Sequence, residues 1–228
     1  MKKELLIFGA DGNLGLGISE VLIKKDFDHI YLFGRNRPKT IQEKDRVGFI
    51  QAADLSLEKN VREVFSKIKP SKDKILFLFS TIGGYAGGKN IWEIEQQDWE
   101  FIFRLNVEIS FLIAKHFSLI VKDSAGGSIC FTSTLTSLKI ESKKASYGAS
   151  KTALNYFVQT LAKEGKEINL SANAIAPFAL DSEENREWIK DETSLIKLEE
   201  IGELIYNIFT NFRIVSGNII QLPYDLKV

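Results

Sequence analysis

The chain has 228 residues, of which 44% are hydrophobic and 26% charged, so it is long enough to bury one sizeable core. Its 30 basic and 30 acidic residues balance to zero, which gives no support for nucleic acid or an anionic membrane as a partner. Cys130 is the only cysteine, and we find neither a membrane-length apolar run nor a signal peptide, so the sequence predicts a cytoplasmic protein.

Short runs of apolar and β-branched residues alternate with amphipathic stretches along the whole chain. The runs predict strands at Leu5–Phe8, Ile30–Phe33, Val47–Ile50, Ile75–Phe79, Ser128–Thr132, Ser171–Ile175 and Ser216–Leu222. The stretches predict helices at Leu14–Lys25, Leu57–Lys69, Gln96–Val121, Ala145–Lys166 and Leu198–Phe212. This alternation predicts an α/β fold, a doubly wound and mainly parallel sheet of seven strands with helices on both faces. Without a repeat or linker, residues 1–228 are expected to form a single domain.

A glycine-rich turn, GADGNLGLG at residues 9–17, joins the first predicted strand to the first predicted helix. Glycines at such a turn let the backbone bend tightly and approach a pyrophosphate, which lies on the helix N-terminus. The turn therefore predicts a dinucleotide site that includes Gly9, Gly12, Asn13, Leu14 and Gly15. The alternative is a purely structural turn between a strand and a helix.

The second predicted strand ends at Gly34-Arg35-Asn36-Arg37, and in a dinucleotide fold this end faces the adenosine ribose. An acidic residue there would bind the 2′-hydroxyl group of NAD, whereas arginine suits the 2′-phosphate of NADP. Arg35 and Arg37 therefore favour NADP(H) over NAD(H), the alternative being surface arginines in a turn. Asp11 in the glycine-rich turn opposes a 2′-phosphate if its side chain points the same way.

Tyr147 and Lys151 lie four residues apart in a predicted helix, downstream of a run of serines and threonines. Positions i and i+4 share one helix face, with Cβ atoms roughly 6 Å apart. A lysine ammonium beside a tyrosine hydroxyl favours the phenolate, so we expect a lowered pKa for Tyr147 and a usable proton donor near neutral pH. Alone, the pair is a weak signal, because exposed tyrosine and lysine recur at this spacing by chance.

Taken in order along the chain, these features resemble the short-chain dehydrogenase/reductase family nearly end to end. The resemblance implies a Rossmann-type NAD(P)-binding fold and hydride transfer between a nicotinamide and a carbonyl or alcohol carbon. It implies that Tyr147 is the general acid and base, and that Lys151 lowers the tyrosine pKa and binds the nicotinamide ribose. Asn106 in Leu105-Asn106-Val107 matches the helix asparagine that holds a water in the proton relay of the family.

Other matching positions imply cofactor contacts. Asp54, which Leu55 follows, matches the acid that hydrogen-bonds near the adenine. Gly83 ends the segment after the fourth strand, and Pro177 in Asn173-Ala-Ile-Ala-Pro177 belongs to the segment beside the nicotinamide. The cofactor set of the resemblance thus includes Asp54, Leu55, Gly83, Asn106, Tyr147, Lys151 and Pro177.

The family serine lies thirteen residues before the tyrosine, and Thr134 stands there, with Ser133 one position earlier. Neighbouring residues of a strand point to opposite faces, so both hydroxyl groups are not expected to reach a substrate unless the strand has already ended. We select Thr134 as the catalytic hydroxyl group, because threonine has the same donor and acceptor capacity as serine.

Three further departures weaken the match. Ser80-Thr81-Ile82-Gly83 stands where the family usually has Asn-Asn-Ala-Gly, so the amides that brace the sheet are missing. Phe178 follows Pro177 where glycine is usual, and Asn13 replaces the middle glycine of the turn. Because asparagine tolerates positive φ and can cap a helix, we expect Asn13 to preserve nucleotide binding.

The sequence as a whole predicts an NADP(H)-dependent oxidoreductase that acts on a small-molecule carbonyl or alcohol and forms a homodimer or homotetramer. Phe101, Phe111, Phe117 and Phe157 exceed what one buried face easily absorbs, which favours a two-fold interface. The alternative is a nucleotide-binding or redox-sensing member of the same fold, which the departures at Thr134, Phe178 and Ser80-Thr81 favour.

A few residues remain open to two readings. Tyr85, in a glycine-rich loop after the fourth strand, is a candidate for the substrate pocket. The acidic stretch Asp181–Glu192 is either a substrate lid or an ordinary solvated helix. His29 and His116 belong to no cluster of histidines and cysteines, so no metal site is expected.

Overall fold

The computed structural model describes residues 1–41, 46–190 and 195–224, except for the side chains of residues 183 and 184. Within these ranges the strands are β1 (Lys2–Phe8), β2 (His29–Gly34), β3 (Val47–Gln51), β4 (Lys74–Ser80), β5 (Gly126–Thr132), β6 (Leu170–Pro177), β7 (Ala179–Leu180), β8 (Leu195–Ile196) and β9 (Ile219–Leu222). The helices are α1 (Asn13–Leu22), α2 (Glu58–Ser66), α3 (Gln96–Phe103), α4 (Ile109–Lys122), α5 (Ala145–Glu164), α6 (Glu183–Trp188) and α7 (Leu198–Thr210). Short 3-10 turns occupy Ile91–Glu93, Leu135–Ser137 and Gly165–Ile168.

Seven strands of the described chain form one parallel sheet in the order β3-β2-β1-β4-β5-β6-β9. The predicted doubly wound sheet is therefore confirmed, and each predicted strand has its counterpart. The chain runs outward from β1 to β3 and then crosses back to place β4 beside β1. In open α/β sheets, this reversal of strand order opens a crevice beyond the carboxyl ends of the strands, where ligands bind.

Both faces of the sheet are covered, which explains why its strands are continuously apolar. In β4, Leu76 and Leu78 pack toward α2, α4 and α5, whereas Phe77 and Phe79 pack toward α1 and α7. Among the residues described, no helix is both long and apolar enough to cross a membrane.

The predicted helix Gln96–Val121 is interrupted. One π-helical turn, Arg104–Glu108, separates α3 from α4 and contains Asn106. A π turn holds one residue more than an α turn, and such turns are frequent at functional sites. The amphipathic pattern continues through the turn, so the sequence did not reveal it.

The surplus of phenylalanines predicted for α3, α4 and α5 is smaller than expected. Phe117 is fully buried and Phe157 packs against the core, so these two residues are core material. Phe101 and Phe111 remain 54% and 46% exposed. They leave an apolar surface on the helices that cover one face of the sheet.

Candidate active site

A cleft of about 460 Å³ lies at the carboxyl ends of β1 to β4, where the strand order reverses. Six residues predicted to bind a cofactor line it: Gly9, Gly12, Arg35, Asp54, Leu55 and Gly83. The cleft therefore brings together the glycine-rich turn, the end of β2 and the segments that follow β3 and β4.

The glycine-rich turn is built on close backbone contacts. Gly9 has a φ of +79°, and a Cβ added to Gly15 would lie 2.0 Å from the carbonyl oxygen of Gly9. A Cβ on Gly12 would meet only that same oxygen, at 3.5 Å, so the space beside Gly12 is open to the cleft. The N-terminus of α1 thus opens toward the cleft, which suits the pyrophosphate of a dinucleotide.

Asn13 and Leu14 behave differently from Gly9 and Gly12. Asn13 is the first residue of α1, Gly12 is the N-cap, and no side-chain hydrogen bond caps this helix. In the part of the chain that is described, positive φ outside glycine occurs only at Lys143 and Asn169. Asn13 therefore uses neither positive φ nor capping, the two properties on which the expectation of retained nucleotide binding was based. Leu14 packs partly buried against the core beneath α1 and α7.

Asp11 points toward the end of β2. Its Oδ2 accepts hydrogen bonds from the backbone N–H groups of Arg35 and Asn36, at 3.0 and 3.1 Å. Gly34 makes room for this carboxylate, because a Cβ there would lie 2.5 Å from Asp11 Oδ1. Arg35 lines the cleft, and Arg37 lies two residues further along the exposed turn. A carboxylate and two arginines thus share this end of the strand.

Asp54 lies at the opposite wall of the cleft, just after β3. Its carboxylate accepts a hydrogen bond from the backbone N–H group of Ser56 at 2.9 Å, and this bond holds the pKa of Asp54 below its usual value. Asp54 is therefore ionised at neutral pH and presents acceptor oxygens only. Leu55 beside it is buried and provides an apolar surface.

Asn106 is fully buried in the π turn and connects two parts of the site. Its Oδ1 accepts from the backbone N–H group of Gly84 at 2.9 Å, and its Nδ2 donates to Gly84 O at 3.1 Å. The second hydrogen of Nδ2 is donated to Ser150 Oγ at 2.9 Å. The amide thereby fixes the loop after β4 against α5.

Ser150 extends this connection to the predicted tyrosine. Its hydroxyl group donates to the carbonyl oxygen of Tyr147 at 2.8 Å while it accepts from Asn106. Sequence reasoning did not select Ser150, although it lies inside the tyrosine–lysine pair. The only signal for Ser150 in the sequence was its position between Tyr147 and Lys151.

Lys151 is buried beside the same loop. Its Nζ donates to the carbonyl oxygen of Thr132 at 2.7 Å, at the end of β5. A Cβ added to Gly83 would lie 2.8 Å from both Lys151 Nζ and Asn106 Oδ1. Because Gly83 has no Cβ, the loop can approach both side chains closely.

β5 ends at Thr132, so Ser133 and Thr134 lie beyond the strand, and their hydroxyl groups have different partners. The hydroxyl group of Thr134 interacts with that of Tyr147 and lowers its pKa, and Thr134 Oγ1 donates to the carbonyl oxygen of Pro177 at 3.5 Å. Ser133 Oγ instead donates to Asn155 Oδ1 at 2.6 Å. Two hydroxyl groups, from Thr134 and Tyr147, therefore converge on one point, and Pro177 lies next to it.

The electrostatics of the pair differ from the expectation. Burial raises the pKa of Tyr147, and its hydrogen bond to Thr134 offsets only part of this effect. Burial also lowers the pKa of Lys151 to about 8. The predicted lowering of the tyrosine pKa by Lys151 was therefore wrong for the protein without a cofactor, because the ammonium group is directed to Thr132.

Aromatic side chains surround the converging hydroxyl groups. The ring of Tyr85 meets the ring of Tyr147 edge-on, with centroids 5.1 Å apart, and Tyr85 itself is 66% exposed. Lys144 Nζ lies 5.9 Å from the centroid of Tyr85. Phe178, 46% exposed, follows Pro177. Tyr85 therefore lies between Tyr147 and solvent, as expected for a residue of a substrate pocket.

Thr81 replaces one of the missing amides. Its hydroxyl group is within hydrogen-bond distance of the carbonyl oxygens of Phe8 and Gly9, at 3.0 and 3.1 Å, and so ties β4 to the glycine-rich turn. Ser80 Oγ is buried and has no hydrogen-bond partner among the described residues. One of the two substitutions is therefore compensated by a new contact.

The acidic stretch Asp181–Glu192 contains the short helix α6, which Ser182 caps. Arg186 donates to Asp181 from Nε and Nη2, at 2.6 and 2.9 Å, and Trp188 is 83% exposed. Residues 191 and 192 lie outside the described residues. Within the residues described, no group of histidine, cysteine and acidic side chains has the arrangement of a metal site.

Comparison with known proteins gives four findings. The family model for short chain dehydrogenase matches residues 3–193. An uncharacterized oxidoreductase of Saccharomyces cerevisiae is 26% identical over 187 residues, which cover 80% of this chain and 72% of the relative. An NAD-dependent glycerol dehydrogenase of Listeria innocua serovar 6a is 26% identical over 184 residues, covering 79% and 72%. The solved structure of ElxO with NADP bound superposes with a TM-score of 0.85 at 20% identity, covering 97% of each chain.

Replacing Lys151 with methionine tests the cost of burying the ammonium group. Burial depresses the pKa from 10.5 to about 8, so the charged lysine destabilises the folded state below pH 8, and this cost disappears between pH 8 and 10.5. The depression corresponds to roughly 3 kcal/mol, from which the lost hydrogen bond to Thr132 subtracts about 1 kcal/mol. We therefore expect Lys151→Met to raise the free energy of unfolding by about 1–3 kcal/mol at pH 7 in urea titrations.

The gain should shrink when the titration is repeated at pH 10. Lys163→Met is a matched control, because Lys163 is exposed on the same helix and should show no such pH-dependent gain. Equal stability of Lys151→Met and wild type at pH 7 would contradict the prediction.

Proposed function

We propose that this chain, which belongs to the short chain dehydrogenase family, is an NADP(H)-dependent oxidoreductase that transfers a hydride between the nicotinamide and a carbonyl or alcohol carbon. One observation carries the proposal: the hydroxyl groups of Tyr147 and Thr134 interact, and the buried Lys151, on the same helix as Tyr147, closely approaches Gly83 of the cleft. A carbonyl oxygen at this point would receive two hydrogen bonds. Such donors, placed where negative charge develops, supply the largest electrostatic contribution to catalysis.

The residues of the cleft fit a dinucleotide. The open space beside Gly12 and the open N-terminus of α1 suit a pyrophosphate, Asp54 and Leu55 suit the adenine end, and Gly83 and Pro177 lie toward the reacting end. When bound, the nicotinamide donates or accepts the hydride. The protein then has to orient the substrate and move one proton.

Tyr147 moves that proton in our proposal. In the reducing direction, its hydroxyl group protonates the alkoxide oxygen that forms on the substrate, while Thr134 hydrogen-bonds the same oxygen and fixes its position. Its raised pKa keeps Tyr147 protonated at neutral pH, which is the state that a general acid needs. In the oxidising direction, the same residue accepts the proton.

Lys151 and Asn106 support the proton transfer. With a pKa of about 8, Lys151 can release and regain a proton near neutral pH, and we assign it contact with the nicotinamide ribose. Both amide hydrogens of Asn106 are already donated, to Gly84 and Ser150. Its Oδ1 accepts one bond, from the N–H group of Gly84, so the second lone pair of this oxygen, which lies close to Gly83 together with Lys151 Nζ, is the acceptor left to hold a relay water.

The preference for NADP(H) rests on Arg35 and Arg37 at the end of β2. The relatives leave the choice open, because one is named as NAD-dependent and a structural neighbour contains NADP. A guanidinium group donates two parallel hydrogen bonds to a phosphate, which a ribose hydroxyl group cannot match. We further propose a cytoplasmic location, supported by the buried free thiol of Cys130.

A second candidate is a nucleotide-binding or redox-sensing protein without turnover. The unpartnered hydroxyl group of Ser80 and the Phe178 side chain beside Pro177 favour it, since both depart from the family pattern near the reacting end. The connected set of Asn106, Ser150 and Tyr147 supports the enzyme, because a pure nucleotide binder does not need it.

The tyrosine variants distinguish these two functions. Tyr147→Phe removes the proton donor but keeps the ring, so carbonyl reduction should fall by orders of magnitude while NADPH affinity changes little. Lys151→Met should lower both turnover and NADPH affinity, and Thr134→Ala should cost less than Tyr147→Phe, at about 3 kcal/mol of barrier or less. Thr134→Ser should be tolerated.

The measurement is NADPH oxidation with a panel of aldehydes, ketones and quinones. Tyr156→Phe is a matched control, because Tyr156 is 75% exposed on the same helix. Tight NADPH binding without any turnover above that of Tyr147→Phe would favour the binding protein.

The cofactor preference is tested by titration of both nucleotides. NADPH should bind more tightly than NADH, and Arg35→Ala should narrow the difference by roughly tenfold, since a charge-assisted hydrogen bond contributes on the order of 1.5–3 kcal/mol. Arg213→Ala, an exposed arginine after α7, should leave both affinities unchanged. Equal affinities, or tighter binding of NADH, would overturn the preference.

We propose a homodimer or homotetramer that buries the exposed surface of α3, α4 and α5. Phe111 and Leu119 of α4 are 46% and 55% exposed, and Phe101 of α3, which also lines the cleft, is 54% exposed. Aromatic residues of this kind are enriched in the cores of protein interfaces.

Light scattering at micromolar concentration should therefore report at least a dimer. Phe111→Glu should shift the protein toward the monomer, because it places a charge in the apolar interface, whereas Trp188→Glu on α6 should not. A wild-type monomer would contradict the proposal.

A further inference from the structure

The side chain of Asp11 fills an anion site that the chain itself builds. Backbone N–H groups of two successive residues, Arg35 and Asn36, converge on Asp11 Oδ2 at 3.0 and 3.1 Å. Successive N–H groups in a turn form a concavity that binds anions. Gln51 Nε2 donates to Arg35 O at 3.1 Å and so supports the same turn. The anion in this site is the carboxylate of Asp11, a residue of the glycine-rich turn.

The position of this anion site relates it to the choice between the two cofactors. It lies at the carboxyl end of β2, and in dinucleotide folds the adenosine ribose is bound at this end of the strand. Asp11, Gly34 and Arg35 line the same cleft. The carboxylate is thus close to the atoms that distinguish NADP from NAD.

We propose that Asp11 is a specificity-determining residue that limits the preference for NADP(H). This inference rests on the proposal that the cleft binds a nicotinamide dinucleotide. The carboxylate occupies the two N–H groups that a 2′-phosphate would use, and its negative charge repels that phosphate. Toward NAD(H), the same carboxylate is an acceptor for the ribose 2′-hydroxyl group.

Two opposing charges therefore set the selectivity. Arg35 attracts a 2′-phosphate, and Asp11, which holds the backbone of Arg35 in place, opposes it. Most of the free-energy difference between the cofactors cancels, so the wild-type chain accepts both with a modest ratio. A sequence search restricted to the end of β2 misses the acid, because it comes from the preceding loop.

Two variants separate the charge from the occupancy. Asp11→Asn keeps an oxygen that accepts from the two N–H groups but removes the charge, and Asp11→Ala removes both. We expect Asp11→Asn to tighten NADPH binding about tenfold, the effect of one unit charge near a phosphate at the protein surface. Asp11→Ala should tighten NADPH binding at least as much, because the backbone N–H groups of Arg35 and Asn36 then become available to the phosphate. NADH binding should be unchanged or up to about threefold weaker.

The dissociation constants of both nucleotides are measured by isothermal titration, with no substrate required. Asp28→Asn is the matched control, because Asp28 Oδ2 likewise accepts a backbone N–H group, from Lys3 at 2.7 Å, but lies at the opposite end of the sheet. It should leave the ratio of the two dissociation constants unchanged. Thermal unfolding of each variant checks that the fold is retained.

An unchanged ratio in both Asp11→Asn and Asp11→Ala would overturn the proposal. A wild-type protein that prefers NADH, with variants that move toward NADPH, would overturn the NADP(H) preference and support the role of Asp11. Nucleotide binding without turnover would overturn the oxidoreductase and leave this inference standing. A chain that binds neither nucleotide would overturn both the proposed function and the role of Asp11.

Discussion

The buried amide of Asn106 is the interaction on which the rest of the site depends. A polar side chain without solvent must satisfy its hydrogen-bonding groups within the protein, and leaving one unpaired costs about 1–3 kcal/mol. Asn106 does so with a loop at the end of β4 and a serine on α5. These are the two segments that carry the wall of the cleft and the Tyr147–Lys151 pair. The requirement to satisfy one amide thus sets the position of the loop relative to the helix.

Lys151, unlike Asn106, is a buried polar residue whose burial costs stability. Its ammonium group is buried with a carbonyl oxygen as partner and is paired with no carboxylate of the described residues, so the fold carries an unfavourable buried charge. Conserving stability alone would favour an apolar side chain here. The proposed role of Lys151 in proton transfer near neutral pH fits its depressed pKa, and active sites commonly contain such a cost to stability.

Sequence patterns predicted the features that depend on periodicity. The strands are apolar on both faces, so the sequence pattern alone predicted β1 and β4. The alternation argument for Thr134 did not apply, because β5 ends at Thr132. Other features depend on three-dimensional surroundings and were not predicted. Spacing places Lys151 near Tyr147 but says nothing about burial or about the carbonyl oxygen of Thr132, and these decide the direction of both pKa values. The direction of the Asp11 side chain was likewise open until the loop was placed.

The π turn at Arg104–Glu108 makes the site sensitive to chain length. In an α-helix each residue advances the direction of a side chain by about 100°, so one extra residue rotates everything that follows by that angle. The wider π turn absorbs that extra residue, so deleting it would restore a regular helix and redirect the side chain of Asn106, which lies in the turn. Substitutions can be absorbed one side chain at a time, but an insertion or deletion here cannot. During divergence, related chains that keep this site should therefore vary in residue identity at the turn while retaining its number of residues.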